Sequence, residues 1–326
     1  ALKLTDRLLA EFPNFYLGHM LKGDILSLKA GRPLTQIGDM LDVPKGKQEE
    51  LTELRDEAIA RFKAVKDRPQ RDLLPAELVE LNDDQRYVIL VDTTRSRLFL
   101  YENAFPQPRL VTDFYVSQGK MGAVKVREGD KRTPIGVYTI TELLPKEKLT
   151  DFYGPIALPI DYPNAWDKRL GKTGYGIWLH GMPKHYVSRP PKASDGCVVL
   201  ANQDLLALKK FVDIGSTQVV ISERLDFVPV DVWQSHRKAA LRMVRQLKLA
   251  AMPLGGATGE IVGRAGGPRT NQSTDQKLIK IIKMRSHRPA TLEIERLAQS
   301  RAIADIPGVQ RVVAQRAQGV LGVAGA

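Results

Sequence analysis

The sequence predicts a mainly β domain with short helices, flanked by an α-helical N-terminal region and a helical, partly disordered C-terminal tail. Three observations predict it. Up to Lys66 the apolar residues recur at helical spacing. From Tyr87 they change to short alternating and β-branched runs broken by turn residues. Beyond Leu225 one amphipathic stretch gives way to a Gly-rich segment with no hydrophobic period. The expected parts are residues 1–82, 83–224 and 225–326.

In the first part, Leu4, Leu8, Leu9 and Phe12 precede a break at Pro13-Asn14, and Leu17, Met20, Leu21, Ile25 and Leu28 follow it. Two amphipathic helices joined by a turn are expected, the second closed by Gly31. The second, with its Pro-Asn-Phe start and Gly31 end, resembles half of a tetratricopeptide unit, but no second copy is visible, so the pair reads as a helical hairpin. Thr35–Lys47 reads as a loop, and Glu49–Lys66 as a helix through Leu51, Leu54, Ala58, Ile59 and Phe62. Asp67–Glu80, with Pro69 and Pro75, reads as a linker.

Strands are expected at Tyr87–Asp92 and Arg97–Tyr101, joined through Thr93-Thr94-Arg95-Ser96, then at Leu110–Ser117 and Ile135–Ile140. Gly122–Lys131, charged and glycine-bearing, reads as a surface loop. Asp151–Thr173 carries Pro155, Pro159 and Pro163 among Tyr153, Tyr162 and Trp166, and reads as an irregular lid or substrate wall. Gln218–Ser222 closes the sheet. Val232–Leu249 is a helix with Trp233, Ala240, Val244 and Leu247 on one face, and Gly255–Ala326 is poorly ordered or loosely helical.

Chemistry is legible in Ile177–Asn202. It holds the single cysteine, Cys197, separated from His180 by sixteen residues (181–196). A thiol attacks as its thiolate, and a nearby imidazole can take its proton. The apolar run Gly176–Leu179 places His180 at a strand end, and the prolines Pro183, Pro190 and Pro191 favour a returning loop over a helix. Ser194-Asp195-Gly196 forms a tight turn whose backbone N–H groups, at Asp195, Gly196 and Cys197, face a developing oxyanion. Val198-Val199-Leu200 continues as a strand, and Asn202-Gln203-Asp204 is the expected cap of a helix running to Phe211.

These residues resemble the L,D-transpeptidase (YkuD domain) family, whose pattern is His-Gly, a loop of this length, then Ser-x-Gly-Cys. Ser117-Gln118-Gly119-Lys120 and Arg132-Thr133-Pro134-Ile135-Gly136-Val137-Tyr138 are similar to the same family's upstream elements. The resemblance covers Tyr87–Glu223. It implies a YkuD-like β-sandwich, Cys197 as nucleophile, His180 as base and the Gly181 carbonyl as the group orienting the imidazole. It further implies acyl transfer on peptidoglycan stem peptides, without cofactor or metal. The acceptor would be a stem amine, a lipoprotein lysine, a D-amino acid or water, and carbapenems would acylate the cysteine. Hydrolytic relatives of the same fold, and a non-catalytic wall-binding protein, are the alternatives. A papain-like arrangement is excluded by the order of the pair, since there the cysteine precedes a distant histidine.

One departure bears on substrate. Many members carry Arg or Asn two residues after the cysteine, where this chain has Val199; in an extended segment that side chain shares a side with Cys197. Another group must therefore hold an anionic stem, and Arg132, Lys184 and Arg189, with Ser194, are the nearest candidates.

Composition sets the remaining bounds. With 326 residues and 43% hydrophobic content, two or three folded parts are expected. One cysteine excludes an internal disulfide. The net charge of +12 comes without a nucleic-acid motif, so an anionic wall or membrane surface suits it better than nucleic acid. No run reaches membrane-spanning length, and a first residue other than Met suggests a removed signal or anchor, hence a periplasmic or other envelope location. The N-terminal hairpin is the expected contact for a lipoprotein or other protein partner.

Overall fold

Leu9, Leu17 and Met20 leave solvent on the facing sides of two helices, α1 (Leu2–Glu11) and α2 (Tyr16–Lys29). Gly18 sets their approach, since a Cβ there would lie 2.9 Å from Phe15 Cδ1 and 3.0 Å from Leu9 Cδ2. Helix α3 (Gln48–Lys66) adds Leu51 and Ala58 to the same cluster. Its buried Glu57 is held by Arg61 at 2.8 Å, one turn on.

The structure, a computed structural model, describes residues 1–39, 46–70 and 72–251. Two units are distinguished. The first comprises Ala1–Leu73 and Leu81–Asp226; the second comprises Leu74–Glu80 and the chain from Phe227.

The remaining elements are, in order, β1 (Leu73–Pro75), β2 (Tyr87–Asp92), β3 (Arg97–Glu102), β4 (Arg109–Gly119), β5 (Gly136–Thr139), β6 (Leu144–Pro145), β7 (Ile156–Pro159), α4 (Ala165–Arg169), β8 (Trp178–His180), β9 (Lys192–Ser194), β10 (Val198–Leu200), α5 (Asn202–Lys209), β11 (Gln218–Ser222), β12 (Phe227–Pro229) and α6 (Val230–Ala251). The fold is mostly β. One curled sheet runs β5-β11-β2-β3-β4-β10-β8-β7-β6, with β9 also paired to β4.

Strand β2 is apolar without alternation, and Val88, Ile89, Leu90 and Val91 are all fully buried, because both of its faces are covered. Ile89 and Val91 meet Leu98, Leu100, Leu158, Leu179, Val198, Leu200, Leu205 and Leu208 in the main core. Long β4 makes the curl. It pairs with β3 from Arg109 to Tyr115, and its end turns to β10 (Ser117↔Val199) and β9. The strand carrying His180 lies parallel to the strand that follows Cys197, with His180 opposite Val199.

Four local expectations are corrected. Asp67–Glu80 is more than a linker: β1 pairs with β12, and the Leu78 carbonyl accepts the Trp233 indole N–H at 2.7 Å within the second unit. Asp151–Thr173 is largely regular. It contains β7 and α4, because its prolines fall at strand ends and loops while Ile156, Leu158, Ile160 and Tyr162 enter the core. Gly122–Lys131 is not merely a charged surface loop. It folds around its own ion pair, Lys125 being 3% exposed with Nζ 2.8 Å from Asp130. The returning loop after His180 contains β9. The tail from Gly255 lies outside the described residues.

Candidate active site

His180 ends β8 with 1% exposure. Its Nδ1 lies 2.7 Å from the Gly181 carbonyl, which can only accept, so Nδ1 carries the proton and Nε2 keeps the basic lone pair. The carbonyl is itself held in place. Gly181 N–H donates to the Tyr153 carbonyl at 2.9 Å. Asn202 clamps the next residue, its Oδ1 accepting from Met182 N–H at 2.9 Å and its Nδ2 donating to Met182 O at 3.0 Å. A Cβ at Gly181 would lie 2.2 Å from Asn202 Oδ1, so glycine is required. Sequence reasoning expected Asn202 as a cap; instead Ala201 is the N-cap of α5, with no side-chain bond, because Asn202 is spent on this long-range contact. Phe152 and Tyr153 pack on the imidazole at 5.9 and 5.1 Å between centroids.

Cys197 follows a turn secured on both sides. Ser194 Oγ donates to the Cys197 carbonyl at 2.6 Å and accepts the Gly196 N–H at 3.1 Å. Thr133 Oγ1 donates to the Gly196 carbonyl at 3.0 Å and accepts Gly119 N–H at 2.9 Å, tying the turn to the end of β4. Gly196 has φ +130, and a Cβ there would meet the Arg132 carbonyl at 2.7 Å. The Cys197 thiol donates toward the Gly176 carbonyl at 3.4 Å.

Electrostatics keep the resting pair neutral. Burial pushes the Cys197 thiol up to about 11, with Asp195 adding to the shift while the Trp178 amide, Arg189 and Lys125 oppose it. Burial likewise pulls the His180 imidazole down to about 4, helped by the positive charge of Arg189 and opposed by its bond to Gly181.

Cys197 and His180 line one cavity of about 320 Å³, together with Lys125, Glu128, Phe152, Tyr153, Tyr175 and Asp195. Asp195 is exposed at its rim, 4.0 Å from Lys120 Nζ. The other expected anchors lie elsewhere or are committed. Ser194 lines the cavity, but its hydroxyl is used by the turn. Arg132 donates to the Ala123 carbonyl at 3.0 Å. Lys184 is exposed, with its backbone N–H 3.3 Å from Asp151 Oδ2. Arg189 donates to the Ala193 carbonyl at 2.8 Å and lies 5.6 Å over the Phe152 ring, lining a second cavity instead. Val199, 1% exposed, also faces that second cavity: Cys197 precedes β10, so strand alternation does not carry through to it. Lys125, Thr133, Phe152 and Asn202 were missed as site residues. Only Thr133 had a local signal, the Thr-Pro element.

Residues 86–221 match the YkuD family model, the L,D-transpeptidase catalytic domain. Among solved structures the chain is similar to Bd1075 of Bdellovibrio bacteriovorus, at 34% identity and TM-score 0.49, over 55% of this chain and 64% of that one. It is also similar to the helical cell shape determining protein Pgp2 of Campylobacter jejuni, at 27% identity and TM-score 0.44, over 59% and 63%. An L,D-transpeptidase (Yku) of Stackebrandtia nassauensis matches at 15% identity and TM-score 0.33, over 64% and 78%. The chain spans less than two thirds of the length of the first two. No curated protein was found to match it. Among the described residues no helix is long and apolar enough to cross a membrane.

Proposed function

We propose that the chain is a cysteine acyltransferase acting in the cell envelope on peptidoglycan stem peptides, with residues 83–224 carrying the chemistry. The observation that supports this most is the shared cavity of Cys197 and His180, with Nδ1 fixed by the Gly181 carbonyl and Nε2 left basic. Sγ attacks the amide carbonyl while Nε2 takes its proton. The C–N bond then breaks, the imidazolium protonates the departing amine, and a Cys197 thioester remains. A second amine, or water, gives its proton to Nε2 and attacks the thioester; the thiolate leaves and is reprotonated. Gly196 N–H is bonded to the Ser194 hydroxyl, so the oxyanion donors we assign are the Cys197 and Asp195 amides.

Lys125 takes the anchoring role sought among Arg132, Lys184 and Arg189. Lys125 lines the cavity, and its ammonium donates to Asp130 at 2.8 Å and to the Arg127 carbonyl at 3.0 Å, which leaves its third N–H group as the one we assign to a substrate carboxylate. Lys125→Met should raise KM for stem peptides by a loss of about 1.5–3 kcal/mol, with kcat less affected. Mass spectrometry of stem peptides incubated with the protein separates cross-linking, exchange and trimming by their products. Unchanged peptides at all enzyme concentrations would refute the proposal.

A further inference from the structure

Arg189 stands half-buried in the loop after His180 and does not line the cavity that Cys197 and His180 share, yet its guanidinium reaches toward both of them. On the side of the nucleophile, Nη2 donates to the Ala193 carbonyl at 2.8 Å. Ala193 lies in β9 beside Ser194, whose hydroxyl fixes the turn that presents Cys197. On the side of the base, the guanidinium carbon lies 5.6 Å over the Phe152 ring, within the roughly 6 Å at which a cation is drawn to an aromatic face. Phe152 in turn packs on the His180 imidazole at 5.9 Å between centroids. The backbone of Arg189 is pinned to the sheet, its carbonyl accepting the Tyr115 hydroxyl at 3.0 Å. One planar group thus joins the strand that leads to the nucleophile with the turn that covers the base.

Charge and shape make different demands here. Behind the dominant effect of burial, the positive charge of Arg189 draws the Cys197 thiol toward thiolate but holds the His180 imidazole away from imidazolium. One proton transfer creates both ions, so the two effects oppose each other. Shape serves both partners at once, because a guanidinium donates in its plane while its face stays open to a ring. An ammonium keeps the charge and loses that double contact. Burial lowers Arg189 from its ordinary value, with Tyr186, Asp195, Cys197 and Glu53 opposing, so the charge is held partly out of water at a cost that a solvated loop residue avoids.

We propose that Arg189 is a positioning residue of the reaction, holding the turn of Cys197 through Ala193 and the imidazole of His180 through Phe152 in one geometry. Its kinetic effect rests on the acyl transfer proposed above, whereas the placement of His180 is read without substrate.

The test compares Arg189→Gln, Arg189→Lys and Phe152→Ala in the full chain. Both Arg189 variants are expected to lower kcat for stem peptides on the order of tenfold to a hundredfold, with KM within about twofold of the wild type, as misplacing the reacting groups does. Phe152→Ala made in the Arg189→Lys background should cost less than it does alone, because the two side chains act in series. NMR signals of the His180 ring, assigned by their loss in His180→Gln, should move in Arg189→Lys in the same direction as in Phe152→Ala. Circular dichroism and Tm verify folding, and if Arg189→Gln does not fold, Arg189→Lys carries the test. Wild-type kcat with unmoved His180 signals in folded Arg189→Lys would overturn the proposal. So would a rise in KM alone, which would put Arg189 on the substrate. If the wild type turns over no stem peptide, the acyl-transfer reading fails and the His180 signals alone decide this one.

Discussion

That Cys197 and His180 would share one cavity was legible in the sequence, because the pattern that marks them is local: a strand end, a glycine, a proline-rich return and a Ser-x-Gly turn. What holds them is not local. Asn202 reaches back twenty residues to Met182 and looked like a helix cap; Thr133 reaches forward to Gly196 from another loop. Val199 was assigned the wrong face because alternation was extended through a residue outside the strand. These positions give separate predictions. Cys197→Ala should abolish acyl transfer, and His180→Ala should slow it by roughly 10²- to 10⁴-fold, read as turnover of stem peptides. With the thiol pushed up to about 11, the iodoacetamide rate at Cys197 should climb steadily with pH toward that value. An inflection near neutrality would instead reveal a preformed thiolate–imidazolium pair. Asn202→Leu should lower kcat more than it raises KM, since it frees the Gly181-Met182 backbone that orients the imidazole.

Among the elements, β2, β3, β4, β5 and β11 were read within a residue or two, since β-branched runs and turn residues lie in sequence where they lie in space, whereas β6, β7 and β9 were not read as strands. The stretch from Asp151 was misjudged because short strands between prolines carry too little pattern to register. Its structure changes the experiment it calls for. Removing it would delete β7 from the sheet, so it cannot be tested as a free lid. The segment over the site is the short 3-10 turn Asp151–Tyr153, whose Phe152 is 49% exposed and touches His180. Phe152→Ala should impair turnover of stem peptides while changing Tm little, because a half-exposed ring contributes little to the core. A large fall in Tm with unaltered turnover would assign the ring to packing alone.

For the molecule as a whole, the buried imidazole ties stability to pH. Its folded pKa of about 4 lies below the ordinary 6.5, so the unfolded chain binds the extra proton and folding weakens as pH falls between those values. Full burial of the neutral ring sets the cost at about 3 kcal/mol, and His180→Gln should flatten this part of a denaturation series. Asp130 acts in a lower window. Burial alone would raise its carboxyl, but Lys125 and three backbone N–H groups outweigh that and hold it at about 2, so its contribution is lost below pH 3.8. The central claim is an acyl group on Cys197, and intact-mass analysis of the protein quenched in acid during turnover of stem peptides tests it most directly. The account predicts an adduct with the mass of the acyl part of the stem, mapping to the Cys197 peptide and absent in Cys197→Ala. Full product formation by Cys197→Ala would contradict it.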